Sequence, residues 1–292
     1  MSTLGGTRLV RSIGRPGRRS LARALREISY EILPFARTEE QVLATVPKDV
    51  RLTVTTTEAK GLRPTVDLAV RLARHGYATA PHLAARLVRD RSHLDDIVSE
   101  LEDNGVPGIF VIGGDAARPV GEFPDALSLL EALQSRGHRF RRIGIGAYPE
   151  GHGRIDQRLI EQALTAKSRH ANLGITQLCF DPRTTASWAR SVKSRGVSLP
   201  IRVGIPGAVT RQKLVRISAG LGLGQSARFL AKQQGVLARF FLPGGYSPDR
   251  LLRGLAHSID RADNDIVGFH IFTFNELKRT EAWRQDRLAR LA

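Results

Sequence analysis

Gly108-Ile-Phe-Val-Ile-Gly-Gly-Asp115 is an almost wholly apolar run that ends in two glycines and a carboxylate. A short apolar run without polar interruption is typical of a parallel strand that is buried on both faces. Seven similar runs recur along the 292-residue chain, and all but the run that ends in Pro206-Gly207 hold or adjoin a reactive side chain. These runs cover Ile28–Leu33, Leu52–Thr56, Tyr77–Leu83, Ile143–Tyr148, Ile175–Phe180, Ile201–Ile205 and Val267–Phe274.

Helical patterns fill the gaps between the runs, and Ser92 is a candidate N-cap for one of them. Eight strands that alternate with helices predict a single (β/α)8 barrel of the TIM type over residues 27–292. A doubly wound sheet alternates too, but the first strand lacks the Gly-x-Gly-x-x-Gly turn of dinucleotide-binding folds. The helices are predicted from Thr38 and from Gln225 onward, and over Pro64–His75, Arg91–Asn104, Phe123–Arg136, Asp156–Arg169, Pro182–Arg195, Thr210–Ala219, Ser247–Arg261 and Glu276–Leu291.

The formal net charge of +17 first suggests a nucleic-acid partner, but the distribution of the charge argues against one. Residues 1–26 carry seven arginines and no acid, and the remaining excess is scattered over the predicted helices without an interleaved aromatic platform. Such a surface suits anionic small ligands instead. We expect residues 1–26 to form a flexible basic tail that ends in a short amphipathic helix, with an organellar transit peptide as the alternative.

The composition disfavours several kinds of site. Cys179 is the only cysteine, so an intrachain disulfide and a cysteine-rich metal site are excluded, which fits the cytoplasm. No apolar stretch approaches the roughly 18 residues that span a bilayer. A metal site is not expected, because His82, His152 and His270 each stand alone in the sequence. The strand ends also lack a Gly-x-Ser-x-Gly turn for a serine nucleophile and a lysine for Schiff-base chemistry.

The strand ends of a barrel converge on one site, so the side chains there are the candidates for chemistry. Gly113-Gly114 lets the backbone approach a ligand closely, and His152 follows Tyr148 in a tight turn. The set suits a large, planar, partly anionic ligand with one acid, whereas helix capping is the alternative for Asp115 and His152. His270 is interpreted mainly as structural. The candidates are two carboxylates, an amide, a hydroxyl, a phenol and two imidazoles: Glu31, Asp115, Gln177, Thr55, Tyr148, His82 and His270.

Ala147-Tyr-Pro-Glu-Gly-His152, Ile175-Thr-Gln-Leu-Cys-Phe-Asp181 and Gly268-Phe-His-Ile-Phe-Thr-Phe-Asn275 are the most specific segments of the chain. Together with weaker matches around Glu31, His82 and Asp115, they resemble the methylenetetrahydrofolate reductase family over about residues 28–276. That family is a barrel, in agreement with the fold predicted from the strand pattern.

The resemblance implies FAD across the strand ends, reduced by NADH or NADPH, and hydride transfer to 5,10-methylenetetrahydrofolate, a reduced folate. Glu31 looks like the family's acid that promotes opening of the five-membered ring, a role that calls for a pKa near the working pH. Asp115 resembles the family's carboxylate near flavin and pterin, and Gln177 resembles the amide that contacts folate and nicotinamide. The positions that match cofactor contacts are Thr55, His82, Gly114, Asp115, Tyr148 and His152, with Lys167 as the nearest basic residue in the fifth helix.

Gly113 stands where the family commonly has arginine, and Glu276 stands where arginine usually follows the final Thr-x-Asn. These departures leave two alternatives open: weak or absent FAD with direct hydride transfer from nicotinamide, and another one-carbon reaction on the same barrel. A non-catalytic folate- or flavin-binding protein is disfavoured, because a pure binder has no need of the acid Glu31. Ser226 and Arg228, after the seventh strand, are candidate contacts to a phosphate or to the glutamate tail of folate, with a glycine-rich helix connection as the alternative. A homo-oligomer is compatible with the sequence.

Overall fold

A computed structural model describes residues 14–152, 155–208 and 248–292. The described residues form eight parallel strands, which close into one barrel in chain order with the eighth strand beside the first. The predicted (β/α)8 architecture is therefore confirmed. The strands are β1 (Ser29–Ile32), β2 (Arg51–Val54), β3 (Thr79–Ala84), β4 (Gly108–Ile112), β5 (Arg142–Ala147), β6 (Leu173–Leu178), β7 (Ile201–Pro206) and β8 (Ile266–Phe272).

Helices alternate with the strands, and their buried aliphatic side chains form one continuous core with the outward faces of the strands. None of the described helices is long and apolar enough to cross a membrane. The described helices are α1 (Arg15–Arg26), α2 (Thr38–Thr45), α3 (Arg63–Arg74), α4 (Arg91–Asp103), α5 (Ala126–Arg136), α6 (Gln157–Lys167), α7 (Pro182–Ser194), α8 (Asp249–Leu255) and α9 (Leu277–Leu291), with a short 3-10 helix at Ala85–Leu87.

The side chains of β1 alternate between the outer core and the barrel interior, because successive residues of a strand point to opposite faces. Tyr30 points outward, and its hydroxyl donates to Glu281 Oε2 on α9 at 2.7 Å. Glu281 is in turn paired with Arg284 at 2.8 Å. Ser29 and Glu31, on either side of Tyr30, therefore point into the barrel.

The turn after β8 ties the last strand to the first. The Thr273 hydroxyl donates to the carbonyl of Glu31 at 2.5 Å. Asn275 Oδ1 accepts from the Leu33 N–H at 2.8 Å, and Asn275 Nδ2 donates to Leu33 O at 3.0 Å and to Thr38 Oγ1 at 2.8 Å. The backbone that follows the Glu31 side chain is thus held by polar contacts from the far end of the chain.

The basic segment near the N-terminus ends in the short amphipathic helix that the sequence predicts, and this helix is packed against the rest of the chain. Helix α1 occupies Arg15–Arg26, and its Leu21 and Leu25 are fully buried. The helix packs against α9 and β8. An apolar stripe between the arginines therefore outweighs the basic composition, and the packed unit includes residues before 27. Residues 1–13 lie outside the described residues.

The cap of α4 and the end of α8 differ from the predicted ones. The N-cap of α4 is Asp90 rather than Ser92, and the Asp90 carboxylate accepts from the His93 N–H at 2.7 Å. Helix α8 ends at Leu255, and the chain then turns through Asp260, which has a left-handed φ of 63°. The helices predicted after β7, from residue 210 and from residue 225, lie outside the described residues.

Candidate active site

Glu31 lies between two buried imidazoles in the barrel interior. Its Oε2 is 3.8 Å from His82 Nε2 and 3.9 Å from His270 Nε2, just beyond direct hydrogen bonding. The Glu31 side chain is 17% exposed, whereas those of His82 and His270 are 6% and 1% exposed. Within the described part of the chain, the buried His82 Nε2 has no hydrogen-bond partner. A ligand atom or a water molecule could therefore bridge the carboxylate and either ring.

This environment sets the ionisation of the Glu31 carboxyl. Burial raises its pKa, but the contact with His270, the charges of both imidazoles and the Thr55 hydroxyl lower the pKa by more, so that it lies below its ordinary value. Burial lowers the pKa of His82 to about 4, with Glu31 opposing the shift and His270 adding to it. Glu31 is therefore ionised and His82 neutral at neutral pH, which differs from the expectation of an acid with a pKa near the working pH.

His270 is held in place from two sides. Its Nδ1 lies 2.8 Å from Ser29 Oγ, and the Phe272 ring meets its ring edge-on with the centroids 5.3 Å apart. Ser29 pairs with His270 across the seam between β1 and β8. The structural role of His270 stays a prediction, and its Nε2 also lies 3.9 Å from Glu31 Oε2. Ser29 is a site residue that sequence reasoning missed. The two-residue spacing between Ser29 and Glu31 is the signal that could have revealed it.

A second group of side chains follows β4 and β5. The rings of Tyr148 and His152 are perpendicular, with centroids 5.3 Å apart. Burial raises the pKa of Tyr148, and the negative charge of the exposed Asp115 raises it further, so the two side chains are close enough to interact. Helices α5 and α6 are capped by Asp125 and Asp156. N-capping of these two helices therefore does not account for Asp115 or His152.

Glycines lie at the ends of β4 and β5, where no Cβ covers the backbone. A Cβ on Gly113 would meet no atom within 4 Å. Gly114 has a φ of +89°, and a Cβ there would lie 3.1 Å from the Cβ of Ala84. The Cβ position of Gly146 lies 3.7 Å from the Tyr148 hydroxyl. Gly113, directly after β4, therefore offers open backbone against which a flat ring could lie.

Gln177 and Lys167 lie on β6 and at the end of α6. The register between β6 and β7 shifts between Ile175 and Leu178, and Gln177 Oε1 accepts from the Leu178 N–H at 2.9 Å. Lys167 Nζ lies 3.5 Å from the carbonyl of Gly146, and burial lowers its pKa while Asp125 opposes the shift. Lys167 thus contacts the backbone of β5. The candidate residues Ser226 and Arg228 lie outside the described residues.

Among the residues that the structure describes, neither Cys179 nor a cluster of metal-binding side chains forms a second reactive centre. Cys179 is fully buried, and burial raises the pKa of its thiol to about 12. In residues 14–152, 155–208 and 248–292, no group of three or more His, Cys, Asp or Glu side chains is arranged to hold a metal ion. The structure thus places Glu31, His82 and His270 together in the barrel interior, and a glycine edge, formed by Gly113 and Gly114, after β4.

Comparisons with known proteins identify one family and several similar barrels. A family model described as methylenetetrahydrofolate reductase matches residues 34–223, which is more than half of the chain. A Burkholderia cenocepacia J2315 protein, provisionally described as a lyase/mutase, has a TM-score of 0.45 and 14% identity, over 94% of this chain and 85% of its own. The 2,3-dimethylmalate lyase of the PEP mutase/isocitrate lyase superfamily has a TM-score of 0.44 and 13% identity, over 82% of this chain and 94% of its own. Likeness at this level says nothing about the activity.

Proposed function

The chain belongs to the methylenetetrahydrofolate reductase family, and on that premise we propose that it reduces 5,10-methylenetetrahydrofolate to 5-methyltetrahydrofolate with NADH or NADPH. In this reaction the bond between the methylene carbon and N10 breaks, N10 takes up one proton, and a hydride adds to the methylene carbon. The observation that carries the proposal is the Glu31 carboxylate between two imidazoles in the interior of a barrel whose strand ends would meet a substrate.

Glu31 and His270 are the residues proposed to deliver the proton to N10. Because the pKa of Glu31 lies below its ordinary value, the carboxylate must first receive a proton before it can donate one. His270 Nε2 lies 3.9 Å from Glu31 Oε2, a gap that a bridging water or a small rotation closes. Ser29 Oγ engages the other ring nitrogen and so orients the imidazole. Once Glu31 has given up its proton, its carboxylate stabilises the cationic iminium that ring opening produces.

The open end of β4 and β5 fits a flavin, the cofactor that members of this family generally bind. The open backbone at Gly113 leaves room for a planar ring. The buried His82 Nε2, without a hydrogen-bond partner among the described residues, can contact a bound ligand. FAD bound there would carry hydride between nicotinamide and folate. The residues proposed to hold it are Thr55, His82, Gly114, Asp115, Tyr148, His152 and Lys167.

Gln177 and Asp115 are proposed to bind the pterin end of the folate. The Gln177 carbonyl oxygen is already engaged by the Leu178 N–H, which leaves the amide nitrogen to donate to a ligand. The exposed Asp115 carboxylate suits the amino and ring N–H donors of a pterin. Ser226 and Arg228 stay predicted contacts to a phosphate or to the glutamate tail.

The single cysteine supports a cytoplasmic location for this activity. Cys179 is buried and free, and the sequence holds no other cysteine with which it could form a disulfide. A chain that needs no intrachain disulfide suits a reducing compartment, so we propose the cytoplasm.

The test of the proposed reaction is NAD(P)H oxidation by the purified full chain with methylenetetrahydrofolate, with and without added FAD. We expect turnover, and we expect Glu31→Gln to lower kcat by at least about 100-fold, as the loss of a general acid does. Glu131→Gln removes an exposed carboxylate on α5 and should keep the wild-type rate. Absence of turnover with both nucleotides would refute the reductase proposal, and a near-wild-type rate for Glu31→Gln would refute the role of Glu31.

A titration with FAD distinguishes flavin-dependent from direct hydride transfer. The Cβ position of Gly113 is open, so Gly113→Arg can add a cation beside the glycine edge without a clash at Cβ. We expect this variant to bind FAD about 10-fold more tightly if the cofactor lies there. Unchanged affinity would contradict that location, and a wild-type rate that is independent of flavin would favour direct transfer.

A further inference from the structure

Three arginines lie near the starts of their strands, at the end of the barrel away from the glycine edge. Arg51 begins β2, Arg142 begins β5, and Arg202 is the second residue of β7. Arg51 and Arg142 line a cavity whose other walls come largely from the first residues of neighbouring strands. The cavity is partly open to solvent at its mouth. Positive charge thus converges on one end of the barrel.

Close ion pairs with carboxylates do not hold these arginines among the described residues. Within the described ranges none of the three forms an ion pair; Arg202 and Arg51 donate instead to the backbone carbonyl of Glu27, at 2.6 Å and 3.4 Å. Burial lowers the pKa of Arg202 to about 10, and Arg51 and Arg142 lower it further while Glu27 opposes the shift. Burial and mutual repulsion of like charges both destabilise the cluster, and a bound anion would offset both effects.

A buried hydroxyl gives a second, independent indication of a ligand. Thr53 lines the same cavity and is 5% exposed, and its Oγ1 has no hydrogen-bond partner among the residues that the structure describes. Buried hydroxyls are normally paired, so this one is available to a group bound in the cavity. The hydroxyl of Ser29, which also lines the cavity, is already engaged by His270.

We propose that the amino end of the barrel binds a small tetrahedral oxyanion, either inorganic phosphate or the phosphate group of a metabolite. Arg51 and Arg142 would pair with its oxygens, Thr53 would donate its hydroxyl, and Arg202 would add positive charge. Phosphate has several acceptor oxygens and a charge near −2, so it matches this set of donors better than a carboxylate or a chloride ion does.

The proposed anion site is distinct from the site around Glu31. Phe110 lines the cavity, and its ring lies 4.7 Å from the ring of His82, which faces Glu31 on the other side. Phe110 and Ser29 therefore border both sites, while the arginines proposed to bind the anion lie at the starts of their strands. The anion site does not rest on the proposed reductase activity, and binding can be measured without folate or nucleotide.

Isothermal titration of the full chain with inorganic phosphate, in a buffer of low ionic strength, tests this proposal. We expect saturable binding, and we expect Arg142→Gln to weaken it by at least about 10-fold because a charged hydrogen bond is lost. Arg141→Gln is the matched control, since Arg141 is the exposed neighbour and its replacement removes the same charge. Thr53→Val keeps the shape of the side chain and should weaken binding by about 3- to 10-fold.

Each outcome of the titration bears on the proposal. Equal affinity for glycerol phosphate would support the phosphate group of a metabolite, whereas binding of inorganic phosphate alone would support the free ion. Absence of saturable binding at millimolar phosphate would overturn the proposal. Equal weakening by Arg141→Gln and Arg142→Gln, or no weakening by Arg142→Gln and Thr53→Val, would overturn it as well. If Arg142→Gln does not fold, Thr53→Val decides the question.

Discussion

Asn275→Ala perturbs the turn through which β8 holds the end of β1. Asn275 is 8% exposed, and its side chain makes three hydrogen bonds, one from the Leu33 N–H and two to Leu33 O and Thr38 Oγ1. Alanine would leave the Leu33 N–H without its acceptor. Leu33 O would stay paired, because it also accepts from the Thr38 hydroxyl at 2.8 Å.

The size of the expected loss follows from three contributions. An orphaned buried amide costs about 1–3 kcal/mol, and the net loss of the two amide donors adds about 1 kcal/mol. Asn275 has a φ of 57°, a left-handed conformation that asparagine tolerates and in which alanine costs about 1 kcal/mol more. Asn275→Ala should therefore lower the free energy of unfolding by about 3–5 kcal/mol.

Equilibrium urea unfolding, followed by far-UV circular dichroism, measures this loss. Asn275→Gly separates the backbone contribution, since glycine also lacks the amide but accepts the left-handed φ. The glycine variant should be about 1 kcal/mol more stable than the alanine variant. A loss below about 1 kcal/mol for Asn275→Ala would refute the reasoning, because it would mean that the Leu33 N–H finds another partner.

Three further predictions concern pH, thiol reactivity and packing. Burial lowers the pKa of folded His82 to about 4, so between pH 7 and pH 5 His82 takes up a proton in the unfolded protein but stays neutral in the folded one. The free energy of unfolding should therefore fall by about 2 kcal/mol as the pH falls from 7 to 5. His82→Gln should remove that part of the difference in urea unfolding, and an undiminished difference would contradict it. Burial raises the pKa of Cys179 to about 12, so iodoacetamide should label the thiol only after denaturation, and labelling of the native protein would count against its burial. Gly204→Ala places a Cβ against the backbone carbonyls of β6 and should destabilise the protein by about 1–3 kcal/mol or more. Gly113→Ala places its Cβ in open space and should change stability by less than about 0.5 kcal/mol. Equal effects of the two variants in thermal melts would contradict this packing.

The barrel could be predicted from the sequence because its evidence is local. A strand buried on both faces is a continuous apolar run, and Gly108–Ile112 has this property without reference to any other part of the chain. The side chains that end such runs are equally visible, which is why Glu31 and Gln177 could be named as candidates. What a run cannot indicate is which residues of other strands face those side chains.

The missed features all depend on contacts between distant segments. Ser29 and His270 are 241 residues apart in sequence and meet only because β8 closes on β1. Arg51 and Arg142 each resemble an ordinary basic residue at the start of a strand, and their convergence becomes visible only when the barrel closes. The burial of α1 likewise depends on β8 and α9, which are encoded at the other end of the chain.

The family match and the candidate acid rest on different parts of the chain. The match covers residues 34–223, whereas Glu31 and its supports Ser29, His270, Thr273 and Asn275 all lie outside that range. Membership of the family therefore supports the barrel and the glycine edge after β4. The proposed role of Glu31 rests instead on the contacts between β1 and β8. Loosening the seam at Asn275 without touching Glu31 should lower turnover more than FAD affinity, because the flavin contacts proposed at Gly114 and Tyr148 lie across the barrel from it. If turnover and FAD affinity of Asn275→Ala fell in parallel at a temperature where the variant stays folded, the contacts between β1 and β8 would not support Glu31 separately from the flavin site.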